Sequence, residues 1–162
     1  MAQRLTSTTR LRVYGIVQGV GFRPFVSRLA GELGLCGSVA NKGSFVEIFV
    51  QGDPDLRRIL AQRISADPPP RAAILKLEIK ETEMPAFPDF TIAESIHDRG
   101  KIFVSPDIAV CERCLAEMRD PADRRYRHAF INCTACGPRV TILDAMPYDR
   151  VRTAMKDFPM CK

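Results

Sequence analysis

The chain has 162 residues, 46% hydrophobic and 27% charged, with 10 Gly, 12 Pro, 6 Cys and no Trp. These proportions exclude a collagen, a coiled coil, a mucin-like stalk and a wholly disordered chain, and they suit one domain or two small ones. No apolar run reaches the roughly 18 residues needed to cross a bilayer, and Met1 to Ser7 lack the apolar stretch of a secretory signal, so a cytoplasmic protein is expected. The formal charge of +5 is spread evenly, with 12 basic and 10 acidic side chains in residues 1–95 and 12 and 9 in residues 96–162. Neither half has the strong basic excess expected of a nucleic-acid binder.

Leu11, Val13, Gly15 and Val17 alternate with Arg12, Tyr14, Ile16 and Gln18, which predicts a strand from about Arg10 to Val17. After Gln18-Gly19-Val20-Gly21-Phe22-Arg23 comes Pro24, suited to the first position of a helix because its missing N–H would be unpaired there anyway. Phe25, Val26, Leu29, Ala30 and Leu33 continue at helical spacing, and Gly34 supplies a stop. Ser38 to Asn41 and Ser44 to Gln51 read as a hairpin around Lys42-Gly43, with Val46, Ile48 and Val50 on one face. Asp53 caps a helix that begins at Pro54 and is expected to bury Leu56, Ile59, Leu60 and Ile64. Past the break at Pro68-Pro69-Pro70, Ala72 to Glu83 form a fourth strand expected to turn Ala73, Leu75, Leu77 and Ile79 inward, and Phe90 to Ala93 add a short edge strand. The order β-α-β-β-α-β predicts an α+β fold of ferredoxin-like type, two helices on an antiparallel sheet, for residues 1–95.

Such a fold hosts many functions, so the chemistry must come from a site. In Gln18-Gly19-Val20-Gly21-Phe22, two glycines let successive backbone N–H groups turn inward while the next helix aims its positive dipole end at the same hollow, which makes an anion cradle. Arg23 stands at the helix entrance, where its guanidinium fork can hold two phosphate oxygens. Asn41 stands beside Gly43, where the commonest use of Asn is as a turn former. Cys36 is read as packing and His97 as solvated.

Val13 to Arg23 resemble the acylphosphatase signature, and Ser38-Val39-Ala40-Asn41-Lys42-Gly43 resemble that family's second motif, over about residues 10–95. The resemblance implies an acylphosphatase sandwich in which Gln18, Gly19, Val20, Gly21, Phe22 and Arg23 bind phosphate and Arg23 and Asn41 are catalytic. Arg23 would grip the phosphate, and Asn41 would orient the attacking water. An acyl phosphate already has a good leaving group, so positioning and charge stabilisation suffice and no cysteine or histidine nucleophile is needed. Asn41 cannot serve as a base near neutral pH, which leaves a phosphate oxygen of the substrate as the proton acceptor.

Five of the six cysteines crowd into the last third of the chain. Cys111-Glu112-Arg113-Cys114 and Cys133-Thr134-Ala135-Cys136 are separated by 18 residues, within the spacing of four-cysteine zinc sites, and a cytosolic chain favours metal over disulfides. Four thiolates leave no open position, so the zinc is expected to be structural and to replace a core that so few residues can scarcely supply. His128 is read as a surface residue and Arg124-Arg125-Tyr126-Arg127 as a solvated or domain-docking face. Cys161 follows Cys136 by 25 positions and is expected to open a second Cys-x-x-Cys metal pair cut short by the end of the chain. The layout expected is a first module at 1–95, a linker at 96–103 and a zinc-finger region at 104–162.

Asp107, Cys111, Cys114, Asp120-Pro121, Arg124-Arg125-Tyr126, Phe130, Asn132 to Arg139, Pro147 to Arg150 and Cys161 resemble the finger region of the HypF family of carbamoyltransferases. The resemblance implies that the first module hydrolyses carbamoyl phosphate and supplies carbamate to ATP-dependent domains, which pass the carbamoyl group to a HypE-type acceptor during maturation of nickel–iron hydrogenases. Two rivals differ in class. An RNA-binding module of the same topology would share Lys42-Gly43 and the aromatic Phe49, but Ser44, Phe45, Val46 and Glu47 fail its motif. A zinc-finger DNA-binding protein would need a markedly basic helix and tail, which the charge count does not supply.

Overall fold

The first strand, β1 (Leu5–Ile16), begins before its alternating core because Leu5 to Thr8 pair with Thr82 to Pro85 of one neighbour. After it come α1 (Phe22–Glu32), β2 (Cys36–Lys42), β3 (Phe45–Gln51), α2 (Pro54–Ala66), β4 (Ala73–Pro85), β5 (Phe90–Ile92) and α3 (Glu112–Arg119). The computed structural model describes residues 5–94, 109–133, 136–137, 139–145 and 150–158. The linker expected at 96–103, His97 and Cys161 lie outside them.

The strands form one sheet in the order β4-β1-β3-β2-β5. Its pairings are antiparallel except for β5, which runs parallel to β2. Leu11, Val13, Val39, Val46 and Ile48 line the covered face and meet Val26, Leu29, Leu60 and Ile64 of the two helices in one buried cluster. Each such side chain contributes about 1.5–3 kcal/mol by leaving water. The ferredoxin-like expectation for this module is met, with β5 added at one edge.

Some local expectations are corrected. The helix α1 begins at Phe22, two residues before Pro24, because Gly21 adopts a left-handed conformation and serves as its N-cap. In α2 the buried residues are Arg57, Leu60, Ala61 and Ile64, while Ile59 is exposed. These four follow the i, i+3, i+4, i+7 stripe, and Arg57 is tolerated on it because Nη1 donates to Thr9 Oγ1 at 2.7 Å and Glu81 Oε2 at 2.9 Å. A register shift opposite Tyr14 and Gly15 pairs them with Lys76 and Ile74, leaving Leu75 as the extra residue. Ile74 and Leu77 therefore pack against the core, whereas Leu75 and Ile79 are exposed at the sheet edge.

The Asp53 cap is as expected, with Oδ1 accepting from Asp55 N at 2.8 Å and Leu56 N at 3.2 Å. Asp53→Ala is expected to destabilise the protein by about 1 kcal/mol, read as a lowered urea midpoint with unchanged slope.

The last third is built differently. Among its described residues, the buried cluster is Cys114, Ile131 and Cys136, fringed by Val110, Cys111, Met118 and Cys133, with Ile142 buried apart from it. Among the described residues, no helix is long and apolar enough to cross a membrane.

Candidate functional site

The loop between β1 and α1 is held from below by Val17, Val20 and Phe22, each 1% exposed. Gly19 and Gly21 have φ of 72° and 76°, a region open to glycine at no steric cost. With those turns made, the amides of Gly19, Val20 and Gly21, and that of Phe22 at the start of α1, find no acceptor among the described residues, a donor set at a helix N-terminus. Arg23, half-buried, is the second residue of α1 and so stands beside these donors.

A second chain segment is tied to this loop. Gln18 Nε2 donates to Gly43 O at 2.7 Å, which fixes the β2–β3 turn against the β1–α1 connection. Asn41 lies two residues before that turn, in β2, on the face turned to the helices, and is 2% exposed. It is thus a buried strand residue and not a turn former. Gln18 Oε1 and Asn41 Oδ1 are both buried without a hydrogen-bond partner among the described residues. Two orphaned acceptors cost free energy unless a ligand or water supplies a donor, so their presence marks a polar site.

The four sulfurs of Cys111, Cys114, Cys133 and Cys136 all lie within 4.8 Å of one another. Three of the separations are 3.7 Å (Cys111–Cys133), 3.8 Å (Cys133–Cys136) and 3.9 Å (Cys136–Cys114). An ion bound tetrahedrally at about 2.3 Å to each sulfur requires edges of about 3.8 Å, so the donor set and its spacing fit a tetrahedral metal. Cys111 is the N-cap of α3 and Cys114 lies in its first turn, which brings the first pair together. Burial pushes the Cys114 thiol well up. Burial also opposes ionisation of Cys136, but backbone hydrogen bonds at Cys111 and Cys133 outweigh it and bring its thiol down to about 7. Arg139 Nη2 approaches Cys136 Sγ at 2.8 Å, a cation placed where thiolate charge collects.

His128 is exposed, edge-on to Phe130, and takes no part in the cluster. In the basic stretch, Arg125 pairs with Glu117 at 2.9 Å and Arg127 lies over the ring of Tyr126. The contact between the two modules is made elsewhere. Arg71 Nη1 donates to Cys136 O at 2.7 Å, and Gly137 abuts Gly19. Arg71 did not stand out in the sequence, and Gly137 did so only within the Asn132 to Arg139 motif, because each acts through a partner more than 60 positions away.

Residues 9–92 match the family model for acylphosphatase, and residues 110–143 match that for the HypF finger. The chain is 50% identical over 162 residues to carbamoyltransferase HypF2 of Cupriavidus necator, covering 97% of this chain and 20% of that protein. It is 45% identical over 86 residues to an acylphosphatase of Thermotoga maritima, covering 51% of this chain and 92% of that one. A crystal structure of full-length HypF in a phosphate- and nucleotide-bound form superimposes with a TM-score of 0.88 at 44% identity, covering all of this chain and 22% of its own. This chain therefore spans about a fifth of the length of the HypF proteins it matches.

Proposed function

Because the chain belongs to the acylphosphatase family through residues 9–92 and carries a HypF finger, we propose that it binds and hydrolyses carbamoyl phosphate at the Gln18–Arg23 loop. In this reading the loop amides and the Arg23 guanidinium hold the phosphate oxygens and stabilise charge as it develops. Asn41 Oδ1 accepts a hydrogen bond from a water and aims its oxygen at phosphorus. The bond from water to phosphorus forms as the bond from phosphorus to the carbamoyl oxygen breaks. The water proton passes to a phosphate oxygen, and the products are carbamate and inorganic phosphate.

The observation that carries hydrolysis, as distinct from mere anion capture, is the buried and unpartnered Oδ1 of Asn41. The phosphoryl oxygens of a carbamoyl phosphate dianion accept and do not donate, so in this reading that atom takes its donor from water. Asn41→Ala is expected to lower kcat for carbamoyl phosphate about a hundredfold. The affinity for inorganic phosphate should stay near that of the parent, as followed by phosphate release and by titration calorimetry. Phosphate binding lost together with turnover would instead make Asn41 a support of the loop.

The resident metal of the finger is proposed to be zinc, held by Cys111, Cys114, Cys133 and Cys136, with Cys161 as a ligand of a further pair. A closed four-thiolate site supplies folding and no catalysis. The two family matches, which fall on either side of residues 96–103, support the division into a 1–95 and a 104–162 region. In a protein of the relatives' full length, carbamate would pass to an ATP-dependent domain and then to a HypE-type acceptor. The finger matches the HypF type, and no observation favours a nucleic-acid role for it.

A further inference from the structure

Among the described residues, the Cys136-Gly137 turn of the second module meets the first at Arg71 and at Gly19 of the anion loop. A Cβ added to Gly137 would lie 2.7 Å from Gly19 O, closer than side chains approach a backbone oxygen. Gly137 also has φ of 73°, which presents its bare Cα to that carbonyl. The turn that carries it is fixed twice. Gly137 N donates to Cys133 O at 2.9 Å within the finger, and Arg71, from the α2–β4 connection, donates to Cys136 O at 2.7 Å.

A trans peptide is planar, with its C=O and N–H pointing in opposite directions. The carbonyl of Gly19 faces the finger, so the N–H of the same peptide unit, that of Val20, points away from it. Val20 N has no acceptor among the described residues, and its side chain is buried, so the unit can rotate only if the carbonyl moves.

We propose that Gly137 and Arg71 are positioning residues for the phosphate loop: the Cys136-Gly137 turn of the finger seats the Gly19–Val20 peptide unit and thereby sets the direction of the Val20 N–H donor. This rests on the reading of Gln18–Arg23 as the phosphate site and adds to it a role for the finger in that site. A bulkier residue at 137 pushes the carbonyl and misaims the donor. Loss of Arg71 frees the turn that holds the carbonyl in place.

The test is calorimetric titration of inorganic phosphate into the metal-loaded 162-residue chain, with the Val20 amide resonance followed by NMR. Gly137→Ala is expected to weaken phosphate binding about tenfold and Arg71→Ala about threefold, each roughly what one misaligned hydrogen bond removes. Arg71→Lys, which keeps a donor, should recover most of the loss. Gly31→Ala, whose Cβ meets nothing within 4 Å, should bind as the parent does. The Val20 resonance should move in Gly137→Ala and Arg71→Ala with metal content unchanged. If Gly137→Ala sheds its metal, Arg71→Ala decides the matter, because Arg71 contributes no sulfur. Variants at 137 and 71 that hold metal and bind phosphate like the parent, with Val20 unmoved, would overturn the proposal. A parent chain that takes no phosphate would overturn the reading of the loop itself, and the positioning role with it.

Discussion

Arg23→Ala is expected to abolish both phosphate affinity and turnover of carbamoyl phosphate. Arg23 is the second residue of α1, next in the chain to amides that have no acceptor among the described residues. Two charge-assisted hydrogen bonds to one phosphate are worth about 1.5–3 kcal/mol each, so their loss should cost on the order of a thousandfold or more in kcat/KM. Arg23→Lys keeps the charge but not the planar fork, and should recover only a small part. A phosphate-release assay comparing carbamoyl and acetyl phosphate on the parent and both variants reads this directly. Undiminished turnover in Arg23→Ala would remove the residue from the mechanism.

Metal removal should have an effect as large, confined to the other module. The buried cluster of the finger holds Ile131 and two cysteines, Cys114 and Cys136. Three small or medium side chains supply only a few kcal/mol by burial, whereas a structural four-ligand zinc site contributes about 10–16 kcal/mol to folding. The metal term dominates. Chelation under reducing conditions, or Cys114→Ser, should therefore collapse the NMR dispersion of residues 110–158. The sheet of residues 5–92, which has its own core, should stay folded. Metal analysis should find one tightly held ion per chain at Cys111, Cys114, Cys133 and Cys136. Reduced, metal-free protein with an intact finger would contradict this account.

What could be read from the sequence was local or periodic. Asp53-Pro54 announces a capped helix, Lys42-Gly43 the hairpin, and the two Cys-x-x-Cys pairs the cluster, because each signal lies within a few residues of its effect. The glycine pair at 19 and 21 likewise marks its own turn. Arg57 could not be placed inside from its type alone, since its burial depends on Thr9 and Glu81 on two different strands. Leu75 and Ile79 were misplaced because one extra residue in β4 and its position at the sheet edge override strict alternation. The link from Gln18 to Gly43 and the seat of Gly137 on Gly19 depend on register and docking, which no short window of residues encodes.

The polarity of the shortest strand governs where the chain is delivered after the first module. β5 runs alongside β2 in the same direction, and Ala93 N continues the ladder to Val39 O at 3.0 Å. The polypeptide therefore departs toward the end of β2 that bears Asn41. An antiparallel β5 would release it at the opposite end of that seven-residue strand, roughly 20 Å away. The direction of three residues at the margin of the sheet thus points the chain toward the end where a cysteine-flanked turn meets a loop more than a hundred positions earlier in the sequence.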